Sequence, residues 1–226
     1  VGALCRQRER GSDARPDDQR IRHPNRHAGA QPDADPDADR SPTIGEPADD
    51  GARIIAVQTN PLYGPVPVTR ARDITIDSPA VGIVQVQLLL PSRFDAQPEK
   101  RWPALYVLGG SSGTHRSWTQ QTDIEALTAP EDLLVVIPDQ GAEIGGGGYA
   151  DWWNGGKGGP QMWETFHVVE LPQLLERNWH VGDGRAIEGP SSGGLGAIGY
   201  AERHPGMFLF VGSWSAPGPE WPNLLP

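Results

Sequence analysis

The chain has 226 residues, a formal charge of −10 and one cysteine, Cys5. A lone cysteine excludes an internal disulfide and a cysteine-based metal centre. The acidic balance argues against a nucleic-acid surface, which needs Lys and Arg gathered on one face.

Residues 1–52 hold hardly any Leu, Ile, Val or aromatic side chains and include the low-complexity run Asp33-Ala34-Asp35-Pro36-Asp37-Ala38-Asp39. Such a segment buries too little surface to offset the entropy of ordering it, so a disordered tail is expected. Its arginines alternate with Asp and Glu, which reads as a solvated polyampholyte and not as an RNA-binding arm. The aspartate run lacks the glycine and terminal glutamate of a calcium loop. No run of about 18 apolar residues exists, so no transmembrane helix is expected. Val1–Arg6 also lack the apolar core of a secretory signal. By itself this implies a cytoplasmic protein or a natural N-terminus that lies elsewhere, and a start on Val favours the second.

An ordered domain is expected over 53–217, followed by an irregular stub at 218–226. Order begins near Arg53–Val57. Apolar and polar residues alternate through Ile74–Asp77 and Val84–Leu90 around the turn Ser78–Gly82, which predicts an antiparallel hairpin at the front edge of a sheet. Ala104–Leu108 and Leu133–Pro138 are continuous apolar runs, as in strands covered on both faces. A helical stretch near 124–129 lies between them, so a βαβ crossover and a parallel pair are predicted. Gln161–Trp179 reads as a long helix kinked at Pro172. A strand at 185–188, a helix through 194–202 stopped at His204-Pro205-Gly206, and a strand at 208–213 complete the pattern.

Between strand and helix stands Gly189-Pro190-Ser191-Ser192-Gly193. This is the nucleophile elbow arrangement, in which a serine at a strained turn holds its hydroxyl clear of the strand's carboxyl end. The turn demands small residues two before and two after the serine. Ser191 meets that rule on both sides, whereas Ser192 has Pro190 at the first position. The glycine-rich strand end Gly109-Gly110-Ser111-Ser112-Gly113 would supply one half of an oxyanion hole. The backbone N–H groups of Ser111 and Ser192 are the expected donors, with Gly110 beside the substrate. A phosphate cradle would need a Lys-Ser/Thr pair that is absent. Trp152 and Trp153, at a strand's carboxyl end after a glycine run, are expected either to floor a substrate pocket or to serve as core tryptophans. Asp151 would orient that loop. No metal site and no cofactor are expected.

Several segments together resemble the mycolyltransferase (antigen 85) branch of the α/β-hydrolase esterases. They are Ser78–Gly82 with the Val-Gln-Val-Gln strand, Leu105–Gly110, Tyr149–Trp153, Trp163–Phe166, Glu170–Pro172, the Ser191 elbow, His204-Pro205, and Gly212–Ala216. The resemblance implies an α/β-hydrolase sandwich with a mostly parallel central sheet. It also implies a secreted or cell-envelope serine acyltransferase or esterase acting on a small-molecule or lipid ester. Family members that bind trehalose carry an Asp-Gly-Leu-Arg-like run where this chain has Gly109–Ser112, which moves the reading toward a general carboxylesterase. In this fold the triad runs Ser, acid, His along the chain, and the last two belong to strands beyond Pro226. The sequence therefore reads as lacking its C-terminal strands, and an inactive, poorly soluble product is expected. His204 is expected to cap or pack and not to serve as the base. The rival reading is a non-catalytic binding or adhesion protein that keeps the scaffold.

Overall fold

The computed structural model describes residues 44–59, 61–63, 66–67, 69–141, 148–151 and 162–216. The strands are β1 Arg53–Thr59, β2 Leu62–Tyr63, β3 Val66–Pro67, β4 Ala71–Ser78, β5 Gly82–Leu89, β6 Trp102–Val107, β7 Leu134–Pro138, β8 Val181–Pro190 and β9 Phe210–Trp214. The helices are α1 Ser117–Gln121, α2 Ile124–Thr128, α3 Trp163–Thr165, α4 Leu171–Asn178 and α5 Ser192–Arg203, with a π-helical segment at Phe166–Glu170 joining α3 to α4. Seven strands form one sheet in the order β1-β4-β5-β7-β6-β8-β9, and β2 and β3 make a separate antiparallel pair. The β7-β6-β8-β9 portion is parallel, while β1, β4 and β5 join it antiparallel. This is an α/β-hydrolase sheet.

All five residues of β7 are buried. Leu134 and Val136 enter the core shared with Phe166, Leu171, Leu174 and Tyr200, whereas Val135 and Ile137 enter the second core with Ile124. Alternate side chains thus serve opposite faces, and helices cover both, which is why the run is continuously apolar. The crossover from β6 to β7 is parallel as expected.

Three features depart from the sequence reading. The β4–β5 hairpin forms, but β1 pairs with β4 and takes the front edge in its place. The kink expected at Pro172 is a π segment just ahead of it, closed by a bond from Leu171 N–H to Phe166 O. Proline cannot donate, and its ring crowds the carbonyl four residues back, so a wider turn before it relieves both problems. The boundary at residue 53 also falls too late. Ile44 bridges to Ile54, and Ala48 and Ala52 are buried. Residues 46–49 are held by polar side chains of α4: Asn178 accepts from Glu46 N–H at 2.7 Å, Gln173 accepts from Asp49 N–H at 2.8 Å, and Arg177 pairs with Asp49 at 2.5 Å. Such contacts leave no apolar pattern in the sequence.

Glu170 is fully buried and anchors the β4–β5 turn. Its carboxylate accepts from Ser78 Oγ and from Ala80 N–H, the latter at 3.0 Å. Burial, reinforced by nearby Asp50 and opposed by Ser78 and Ala80, raises its pKa to about 7. The folded protein therefore binds this proton more tightly than the unfolded chain does. The associated stability is complete at acid pH and declines as pH rises toward 7. Urea unfolding is expected to show wild type losing on the order of 2 kcal/mol between pH 5 and pH 8 relative to Glu170→Gln, since one pKa unit is worth about 1.4 kcal/mol. Equal pH slopes for the two proteins would contradict this assignment.

Candidate functional site

The carboxyl ends of β6, β7 and β8 meet at one point. Ser191, at the junction of β8 and α5, has φ 51° and ψ −123°. A non-glycine residue with positive φ away from the ordinary left-handed well is held there only by its surroundings. Ser191 N–H donates to Trp214 O at 2.8 Å, and Ser191 O accepts from Leu195 N–H at 3.2 Å. The serine backbone is thus tied to the end of β9 on one side and to the first turn of α5 on the other.

The flanking glycines are sterically required. A Cβ on Gly189 would lie 2.7 Å from the Gly193 carbonyl carbon. One on Gly193 would lie 2.5 Å from Gly109 O and 3.1 Å from Leu108 O. The second contact brings the elbow against the loop after β6, and Ser111 Oγ donates to Ser192 Oγ at 3.2 Å across the same gap. Gly110 also faces Ser191: a Cβ there would sit 3.8 Å from that of Ser191. Gly110, Ser111, Ser191 and Ser192, separated by about 80 residues in the chain, are brought together.

The carbonyls of the 108–113 loop are pinned from behind. Trp118 Nε1 donates to Leu108 O at 3.1 Å, and Tyr149 OH donates to Gly109 O at 2.6 Å. Gln140 Nε2 donates to Gly110 O and, at 3.2 Å, to Gly113 O, while Gly113 N–H donates to Gly110 O at 2.7 Å. The loop and α1 line an open cavity of about 380 Å³ that reaches Pro190 and Ser191 and is also bordered by Trp118, Gln121 and Thr122. None of the described residues lining it carries a charge. A neutral, partly aromatic cleft suits an uncharged ligand.

The Ser191 hydroxyl has no hydrogen-bond partner among the described residues. His167 and His204 are both engaged elsewhere. His167 is buried between Tyr200 OH at 2.9 Å and Asp139 O at 2.8 Å, and burial, against the pull of Asp139, drives its pKa down to about 4. A neutral ring is the outcome. His204 terminates α5, its N–H donating to Tyr200 O at 2.8 Å and its ring pairing with Glu164 at 2.8 Å, which is the capping role expected. Asp151 accepts from Thr165 N–H and Oγ1 at 3.0 and 2.6 Å, and so fixes its loop to α3. Trp152 and Trp153 lie outside the described residues. Among the described residues, no three His, Cys, Asp or Glu side chains are arranged to hold a metal, and no helix is long and apolar enough to cross a membrane.

Trp118, Gln140 and Tyr149 were not singled out as site residues from the sequence. Gln140 had an available signal, because it follows the carboxyl end of a parallel strand, where ligands gather in open α/β sheets. Trp118 had none, since α1 shows no apolar stripe.

A family model described as "Putative esterase" matches residues 82–222. The chain is 34% identical over 140 residues to Esterase Rv1288 of Mycobacterium tuberculosis (strain ATCC 25618 / H37Rv), covering 58% of this chain and 29% of that protein. It is 37% identical over 122 residues to the diacylglycerol acyltransferase/mycolyltransferase Ag85A of Mycobacterium leprae (strain TN), covering 50% and 36% respectively. The chain thus spans well under half the length of these relatives. A solved ferulic acid esterase superposes with a TM-score of 0.55 at 27% identity, over 61% of this chain and 56% of that one. An S-formylglutathione hydrolase from Agrobacterium tumefaciens gives 0.55 at 20% identity, over 69% and 58%, a likeness of fold alone.

Proposed function

Because the chain belongs to the esterase family matched over residues 82–222, we propose that it is built for serine carboxylesterase or acyltransferase chemistry with Ser191 as the nucleophile. The observation that carries this reading is the strained backbone at Ser191, φ 51° and ψ −123°, between β8 and a helix. Strain of that kind holds a hydroxyl outward at a fixed point, and a purely structural serine gains nothing from it.

In this reading Ser191 Oγ attacks the carbonyl carbon of a neutral ester in the adjoining cavity. The carbonyl oxygen becomes an oxyanion held by the N–H groups of Ser111 and Ser192. The Ser192 N–H is the first of α5, so the positive end of the helix dipole adds to it. Collapse breaks the ester C–O bond and expels the alcohol, which takes up the proton given by the Ser191 hydroxyl, leaving an acyl-serine. Water in an esterase, or an acceptor hydroxyl in an acyltransferase, then cleaves it and returns a proton to Ser191 Oγ. Gly110 lets the substrate approach the backbone, and the uncharged walls favour an acyl or lipid ester over a charged sugar-binding subsite. A secreted or cell-envelope location accompanies the proposal by its likeness to the mycolyltransferases.

A base and acid that complete a triad are not in contact with Ser191 among the described residues. Turnover without such partners is expected to be on the order of 10⁴-fold or more below that of a complete triad. The same observation favours a second reading, a binding or adhesion protein on this scaffold. Fluorophosphonate labelling followed by peptide mapping separates the two. Slow, stoichiometric modification of Ser191 supports the nucleophile. A chain left unmodified after prolonged exposure to saturating probe supports the binding protein.

A further inference from the structure

The cavity wall opposite Ser191 is fastened to the sheet by polar ties. Helix α1 contributes no buried side chain. Beside the packing of half-buried Trp118 against the second core, Thr119 Oγ1 donates to Gln87 Oε1 at 2.7 Å, and Arg116 Nε and Nη2 donate to Asp73 Oδ2 at 3.2 and 3.0 Å. Asp73 on β4 and Gln87 on β5 face each other across the strands and are themselves bonded at 3.0 Å.

His115 lies at the centre of these ties and is only 6% exposed. Its Nε2 is 3.7 Å from Asp73 Oδ2 and its Nδ1 is 3.7 Å from Asp139 Oδ2. At that range each contact is an ion pair once the ring is protonated, and neither ring nitrogen has a hydrogen-bond partner among the described residues. A neutral imidazole would turn one unprotonated nitrogen toward a carboxylate. Only the imidazolium offers a positive N–H to both. Asp139 in turn immediately precedes Gln140, whose side chain pins Gly110 and Gly113.

We propose that His115 is a positioning residue for the Ser191 cavity: by bridging Asp73 on β4 to Asp139 after β7, it fixes the seat of the 108–118 loop. Among the described residues, the charged groups facing it are those two carboxylates, with Arg116 sharing Asp73. Burial works to lower the His115 pKa, but Asp139 and Asp73 outweigh it and leave the pKa raised. Burial likewise works to raise Asp139, and His115 with the amides of Gly141 and Gln140 brings it below its ordinary value. A raised histidine pKa means the bridge is complete at acid pH and is lost as pH climbs through the raised value.

The Trp118 indole donates to Leu108 O at 3.1 Å, so its N–H resonance reports the loop whatever chemistry Ser191 performs. The experiment follows that resonance against pH in the full chain labelled with ¹⁵N-tryptophan, assigned through Trp118→Phe. Wild type is expected to show one step with its midpoint above the ordinary histidine range. His115→Gln should lose the step, and Asp139→Asn should move it to lower pH. No step in wild type, or the same step in His115→Gln, overturns the proposal. If His115→Gln does not fold, Asp139→Asn decides, and an unchanged midpoint there overturns it.

The reactivity consequence rests on the reading of Ser191 as nucleophile. Fluorophosphonate labelling by wild type should exceed that by His115→Gln about 10-fold below the step and converge on it above, because small misplacements of a site are costly. A Trp118 step without labelling at any pH leaves the bridge standing and removes the nucleophile.

Discussion

Ser191→Ala is expected to abolish covalent labelling by a fluorophosphonate and any residual hydrolysis of p-nitrophenyl butyrate. Ser192→Ala is expected to retain both within about 10-fold, because its proposed contribution is a backbone N–H that survives the substitution. The contrast is informative because the two hydroxyls are adjacent and Ser192 Oγ is already paired with Ser111 Oγ at 3.2 Å. The strained φ of 51° belongs to Ser191 alone of the two. Loss of a nucleophile removes the acyl-enzyme route entirely, so the effect on labelling is total and not graded. Equal labelling of Ser191→Ala and wild type would move the reactive group elsewhere and end the present reading.

Gly193→Ala is expected to damage fold and site together. The new methyl would meet Gly109 O at 2.5 Å and Leu108 O at 3.1 Å, both backbone atoms of the loop that carries Gly110 and Ser111. Neither can rotate away as a side chain could. Overpacking of this kind typically costs about 1–3 kcal/mol, which for a domain of this size lowers Tm by roughly 2–12 °C. Labelling at Ser191 should fall about 100-fold, since relief of the clash separates the two proposed amide donors. Gly184→Ala provides the comparison, because its Cβ would make an ordinary 3.4 Å contact with Pro103 Cβ. Thermal melts and labelling rates on the two variants check this directly. Similar values for both would show that the elbow does not need its close approach.

Much of the sheet was legible because its signals are local. The apolar run at 134–137 could only be buried on both faces, and the alternation through 74–77 and 84–90 could only be a half-covered hairpin. The elbow was legible for the same kind of reason: a turn that brings residues 189 and 193 into backbone contact excludes side chains at both, and the glycines record it. Helix α1 was not legible, being five residues long with no buried side chain. Residues 44–52 escaped notice because α4 holds them with Asn178, Gln173 and Arg177, not with apolar contacts. The strand expected at 208–213 forms as β9 at Phe210–Trp214, at the end of the sheet, with Leu209, Phe210 and Trp214 exposed.

The amino-acid order alone specified which serine occupies the bend and that the runs at 104–108 and 133–138 pair in parallel, since hard-sphere contact and hydrophobic period act between near neighbours in the chain. It could not specify what Ser191 faces. The pinning of Leu108–Gly113 by Trp118, Gln140 and Tyr149, and the seating of His115 between Asp73 and Asp139, depend on side chains from α1, β4 and three separate loops. Their convergence follows from the sheet order and crossover packing, so polar partners distant in sequence became identifiable only once the chain was folded.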